Sequence, residues 1–200
     1  GKNDADYFAL MYFVMCGVYL LSSYTNLLIL FLGIEIISIP QYILAGSDKE
    51  SMKSNEASLK YFLMGAFGTG ILLMAITLLY GATGSFSIFS EVYAKAFETT
   101  STLSSLSFAG ILLLLISFGF KASAAPLHFW TPDVYDGSPT AFTPFMASIA
   151  KVSVFAAFIR IFHNSFGNIS DAWQVAIAAM IVLTLLFGNI TAVYQQSVKR

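Results

Sequence analysis

Charge is what this 200-residue chain has least of: Asp, Glu, Lys and Arg together make up 10% of it, against about 25% in ordinary soluble domains. The few charges nearly balance, with ten Lys and Arg against eleven Asp and Glu and a formal net charge of -1. No basic footprint is present, which excludes the electrostatic signature of nucleic-acid binding. Cysteine occurs once, at Cys16, so an internal disulfide and a cysteine cluster for iron-sulfur ligation are both excluded. No dinucleotide fingerprint stands out, and redox catalysis by this chain is not expected.

What fills the chain instead is apolar: 57% of residues are hydrophobic. Charge-free runs cover Tyr7 to Ile34, Tyr61 to Ser90 and Ala172 to Val198, each longer than the roughly 20 residues that cross a bilayer core. In lipid every backbone N–H and C=O needs an internal partner, and these runs lack the period-two alternation of barrel strands, so they are read as helices. The expected fold class is all-α: a polytopic transmembrane helix bundle of about six spans, in one membrane domain covering 1–200. The spans are placed at about Asp6 to Ser22, Thr25 to Gly46, Glu56 to Gly81, Leu103 to Trp130, Phe142 to His163 and Ala172 to Gln195. Between the third and fourth, Ala82 to Thr102 reads as an exposed loop, given Gly84, the paired Thr99 and Thr100, and the Ser/Thr-rich stretch after them.

The chain opens Gly-Lys-Asn-Asp with no pattern of a cleaved leader, and both ends read as cut from a longer protein. Six crossings put both ends on one side. That side carries Lys2, Lys49, Lys53, Lys199 and Arg200, the other Lys95 and Arg160, so the positive-inside rule places the ends in the cytoplasm. Tyr7, Tyr24, Tyr80, Trp130, Trp173 and Tyr194 fall near span ends, where amphipathic rings prefer to sit.

Against this background, ionisable residues at mid-span are conspicuous. Glu35, Lys121 and Lys151 each lie deep in a predicted span, where a charge costs roughly 2.5 to 3.5 kcal/mol on insertion scales and normally serves ion or proton movement. Packing alone does not explain three of them. Pro126 and Gly119 flank Lys121; the missing proline N–H frees a carbonyl near Ala122 and predicts a broken helix around Lys121 to Pro126. Pro40, five residues after Glu35, is expected to soften the second helix. Ser117, Lys121 and His128 share a helical face, with Ser38 one turn after Glu35 and Ser148 one turn before Lys151. The serines are read as packing residues. A carboxylate about 7 Å from Lys121 would contribute roughly 2.4 kcal/mol at an effective dielectric of 20, enough for Glu35 to bias loading of the lysine.

Lys60 has Glu56 four residues before it. It is read equally as a structural ion pair or as a point where protons enter. Arg160 and His163 are read as interfacial anchors, and Asp133 and Asp136 as organisers of their own turn.

The stretch FGFKASAAPLHFWTPDVYDGSPTAFTPFMASIAK, Phe118 to Lys151, resembles the N-type antiporter-like subunits of proton-pumping NADH:quinone oxidoreductase, respiratory complex I. EASLKYFLMGAFGTGILLMAITLLYGATG, Glu56 to Gly84, and LGIEIISIPQYILAG, Leu32 to Gly46, resemble the same family. The resemblance implies a fourteen-helix subunit of two inverted five-helix repeats, of which this chain holds the first, at about 6–163, plus one further helix at about 172–195. It implies that Glu35 is the glutamate of an ion pair, Lys121 the broken-helix lysine and Lys151 the lysine of the central polar axis, with Lys60 on a further lysine position of the family pattern; His128, on the Lys121 face, is a lesser candidate from its spacing alone. The implied function is proton translocation within an enzyme complex whose NAD, FMN, iron-sulfur clusters and quinone lie elsewhere, with no cofactor or metal on this chain. Implied partners are the other membrane subunits, lipid, water and protons, in a bacterial cytoplasmic membrane. Two alternatives stand beside it: a cation/proton antiporter or membrane-hydrogenase relative, and a purely structural membrane subunit.

Overall fold

The computed structural model describes residues 4–199, so Lys2 and Arg200 of the charge count lie outside the described residues. Among those residues there are six helices long and apolar enough to cross a membrane and no strand. In chain order they are α1 (Asp4–Ser23), α2 (Leu27–Ala45), α3 (Met52–Thr83), α5 (Ser105–Ala122), α7 (Thr143–Asn164) and α8 (Gln174–Val193), with the short helices α4 (Glu91–Ala96) and α6 (Thr131–Gly137) between them. The chain is an integral multi-pass membrane bundle. Phe62, Leu63, Ile159 and Leu185 are at least half exposed, which suits helices whose outward faces meet lipid instead of water.

Polar side chains cap the ends. Asn26 accepts from the Leu28 amide at 2.7 Å, and Ser51, Ser90 and Ser104 cap α3, α4 and α5 in the same way. Ser51 starts α3 a turn earlier than the position of Glu56 predicts, which puts Glu56 and Lys60 on helix from the outset. At Gly84 a positive φ of 68° ends that helix. Between α1 and α2 the backbones approach closely: a Cβ on Gly17 would lie 2.6 Å from Ile37, and one on Gly33 2.8 Å from Leu21, the small-residue packing typical of membrane helices. Helix α2 runs unbroken through the buried Pro40, so the expected softening there does not interrupt it.

The segment after α3 is not an exposed loop. Tyr93 and Phe97 on α4 are fully buried and stack into a cluster with Phe162, Phe166 and Trp173. Phe86 and Ile88 exchange backbone hydrogen bonds with Leu27 and Thr25. Aromatic residues spaced through Ser- and Thr-rich sequence carried that signal, and turn composition masked it. Nearby, Tyr24 donates to the Ala157 carbonyl at 2.7 Å, and Arg160 donates to the Tyr24 carbonyl at 2.7 Å while lying over the Tyr24 and Phe89 rings. Arg160 therefore ties the α1–α2 turn to α7.

Candidate functional site: ionisable residues around a broken helix

Helix α5 ends directly after Lys121 and Ala122. The Ser123 amide bonds the Phe120 carbonyl at 3.2 Å and the Ala124 amide bonds the Gly119 carbonyl at 2.9 Å, a Schellman closure with Ser123 in the left-handed region at φ 61°. Ser123 is not glycine, so this conformation carries a steric cost, and its side chain is held in return: Ser123 Oγ accepts from Thr131 at 2.7 Å and from the Lys151 ammonium. The predicted break is thus present, and the fourth predicted span ends at Ala122 instead of Trp130. Turns lead from there to α6.

In a continuous helix the Lys121 carbonyl would accept from the Ala125 amide. Here it accepts from Lys151 Nζ at 2.8 Å. A cation at a helix C-terminus meets the negative end of the dipole, so the break creates a seat for Lys151. The ammonium also sits 5.0 Å from the Trp130 ring, which stacks on Tyr61. Helix α7 presents Lys151 directly after a π-helical turn at Met146–Ala150, a distortion frequent at functional sites.

Lys121 itself points the other way. Its Nζ donates to Ser38 Oγ at 2.9 Å and to Tyr42 Oη at 3.3 Å, both on α2. Ser38 passes the chain on to the Ile34 carbonyl at 2.6 Å. Glu35, on the same helix, accepts from Thr69 of α3 at 2.7 Å. Among the described residues Glu35 and Lys121 do not form a direct ion pair. Gly65 on α3 makes room for Tyr42, whose hydroxyl would collide with any Cβ there. A cavity of about 20 Å³ beside Lys121, bordered by Gly65, Gly68 and Trp130, has space for one water molecule. These contacts leave both lysines on neutral acceptors, from which an ammonium can lose a proton without abandoning a touching carboxylate.

Lys60 is different. It pairs with Glu56 at 2.7 Å, as the four-residue spacing predicts, and also with Asp133 of α6 at 2.9 Å. Asp133 therefore reaches across to α3, and Asp136 lies 3.9 Å from Lys53 and accepts from Ser197 at 2.8 Å. Both aspartates do more than organise their turn. Lys60 and Asp133 lie 73 positions apart, a separation that carries no spacing signal.

Three further expectations shift. His128 falls off the Lys121 face because α5 stops before it; its buried Nδ1 has no hydrogen-bond partner among the described residues, and it borders a cavity of about 450 Å³ with Ser123, Thr131 and Asp133. Tyr135 lines the same cavity, its phenol pushed up to about 12 by burial, so it remains a neutral donor. Ser148 is exposed and donates to the Pro144 carbonyl at 2.7 Å, since the π turn carries it away from Lys151. Ser117 donates to the Gly68 carbonyl at 3.0 Å, a packing bond as expected, whereas Ser38 is a direct partner of Lys121. Tyr42, Thr69 and Ser123 were not singled out beforehand; the only signal for Tyr42 is its place on the Glu35–Ser38 face. Among the described residues no group of three His, Cys, Asp or Glu side chains could hold a metal.

Fold and site together define a polytopic membrane subunit that gathers ionisable residues of several helices around a broken one. The chain belongs to the NADH:quinone oxidoreductase/Mrp antiporter transmembrane family, whose description matches residues 24–200. It is 46% identical over 198 residues to NADH-quinone oxidoreductase subunit N of Cytophaga hutchinsonii, covering 99% of this chain and 42% of that relative. Among solved structures it resembles a chain of respiratory complex I from Thermus thermophilus, with a TM-score of 0.81 and 36% identity over 96% of this chain and 40% of that one. It also resembles a chain of an archaeal membrane-bound sulfane sulfur reductase, at a TM-score of 0.83 and 26% identity over 95% of this chain and 38% of that one. The chain spans about two fifths of the length of the curated relatives it matches.

Proposed function

We propose that this chain is part of a proton-translocating membrane subunit of an NADH:quinone oxidoreductase, and that Glu35, Lys121 and Lys151 carry the protons. The observation that supports it most is the seating of Lys121 on Ser38 and Tyr42 and of Lys151 on the Lys121 carbonyl and Ser123. Two amines in series, each on neutral acceptors, form a relay whose occupancy the Glu35 field can bias. NAD, FMN, iron-sulfur clusters and quinone belong to other subunits, and quinone reduction there drives protonation here. Residues 6–163 form the first five-helix repeat, and 172–195 open the second. The partners are neighbouring membrane subunits, lipid, water and protons. The membrane is the bacterial cytoplasmic one, with Lys49, Lys53 and Lys199 on the cytoplasmic side.

Lys60, paired with Glu56 and Asp133, is read equally as a structural ion pair or as a point of proton entry, and His128 borders the cavity that Ser123, Thr131 and Asp133 line. The family also covers Mrp antiporters, so cation exchange on the same scaffold is the second reading. Vesicles holding the intact complex decide between these. Lys121→Ala should lower proton translocation per quinone reduced by about tenfold or more, equivalent to about 1.4 kcal/mol or more on the limiting step, and Glu35→Gln should lower it less. Assembled variants that pump normally would sink the relay. A sodium gradient that drives proton movement without quinone reduction would favour antiport.

A further inference from the structure

Helix α8 is the least embedded of the six spans: its membrane window has no buried residue. It nevertheless reaches the broken end of α5 at two adjacent points. Met180 lies so close to Gly119 that a Cβ there would collide with its Cε. One turn on, Thr184 Oγ1 accepts from the Ala125 amide at 2.9 Å while donating to the Met180 carbonyl at 2.6 Å. Because the hydroxyl proton is committed to Met180, the oxygen faces Ala125 as an acceptor.

The Ala125 amide is the group that a continuous helix would send to the Lys121 carbonyl. At this depth a backbone amide must find a partner, and two acceptors compete for it: the Lys121 carbonyl, which would extend α5 by a turn, and the Thr184 hydroxyl. Lys151 Nζ occupies the carbonyl that the amide leaves, at 2.8 Å. The two bonds are halves of one exchange. We propose that Thr184 is a positioning residue that holds the Ala125 amide off the Lys121 carbonyl and so reserves that carbonyl for the Lys151 ammonium. Through this bond α8 sets the geometry of the lysine pair, and a displacement of α8 relative to α5 returns the amide to the carbonyl and dislodges Lys151. Tilting α8 is thus a way to change how Lys151 is held without touching either lysine. This inference rests on the proton-relay reading of Lys121 and Lys151.

The experiment uses the full-length protein assembled in its complex in vesicles, with translocation measured per quinone reduced. Thr184→Val keeps the shape and removes the acceptor; Thr184→Ser keeps the acceptor. Translocation should fall about two- to tenfold in Thr184→Val, the fold-change of one ordinary hydrogen bond, and return in Thr184→Ser. In a Lys151→Ala background Thr184→Val should add nothing, because its effect passes through Lys151. Equal losses in the presence and absence of Lys151, or a loss that Thr184→Ser fails to restore, would show a merely structural role. Normal pumping in Thr184→Val with impaired pumping in Lys151→Ala overturns this inference alone, whereas normal pumping in Lys151→Ala overturns the relay reading and this inference with it.

Discussion

Two lysine sites in this molecule solve the same problem in opposite ways. Lys60 lies between Glu56 and Asp133, at 2.7 and 2.9 Å, in the N-terminal part of α3. Lys121 and Lys151, at the break in α5, touch hydroxyls, a carbonyl and aromatic faces, and no carboxylate reaches them within ion-pair distance among the described residues. A carboxylate in contact holds an ammonium charged. Neutral acceptors hydrogen-bond it while leaving its charge free to change, and Glu35, on the helix that carries Ser38 and Tyr42, is engaged by Thr69 of α3. The contrast separates a lysine held between two carboxylates from two lysines held on neutral acceptors.

The comparison breaks most sharply if the second site is converted into the first. Ser38→Asp places a carboxylate in the position that accepts from Lys121, where an opposite charge at about 4 Å contributes about 4 kcal/mol at an effective dielectric of 20. Proton translocation in reconstituted complex should fall well beyond tenfold while quinone-reductase activity in detergent persists. Thr69→Val is gentler: Glu35 loses its hydroxyl donor, and pumping should fall by about two- to tenfold, the worth of one hydrogen bond to a working group. Asp133→Asn leaves Lys60 with Glu56 alone, and if Lys60 is mainly an anchor, pumping should change less than about twofold, as for other exposed ion pairs. A larger loss in Asp133→Asn would move Lys60 into the relay. Tyr24→Phe, at the far aromatic end, should leave pumping untouched and cost about 1 kcal/mol in thermal unfolding by loss of the bond to Ala157. Burial pushes the Tyr24 phenol above its ordinary range. Ionisation in the unfolded chain therefore matters only near or above about pH 10, and the Tyr24→Phe difference should be flat between about pH 6 and 8.

Much of this was legible from residue order alone. The six spans come from apolar runs that have to be helical in lipid, and each predicted core of a span is present. The break follows from Pro126 near Lys121, a covalent fact about a missing N–H. Where expectation failed, the cause was nonlocal or a change of helical period. Tyr93 and Phe97 were hidden in loop-like composition, His128 was projected along a helix that ends at Ala122, and Ser148 was aligned with Lys151 across a π turn that alters the angle per residue.

Sequence by itself determined that the chain lives in a membrane, that its spanning helices number about six, and that Glu35, Lys121 and Lys151 interrupt otherwise apolar stretches. Hydropathy, proline chemistry and charge placement are properties of the chain's own residues and need no neighbours. Only the tertiary structure decided which groups each charge meets: Ser38 and Tyr42 for Lys121, the Lys121 carbonyl for Lys151, Thr69 for Glu35 and Asp133 for Lys60. Those pairings join residues 30 to 83 positions apart, and the choice between a neutral acceptor and a carboxylate depends on how helices cross, which no local spacing encodes.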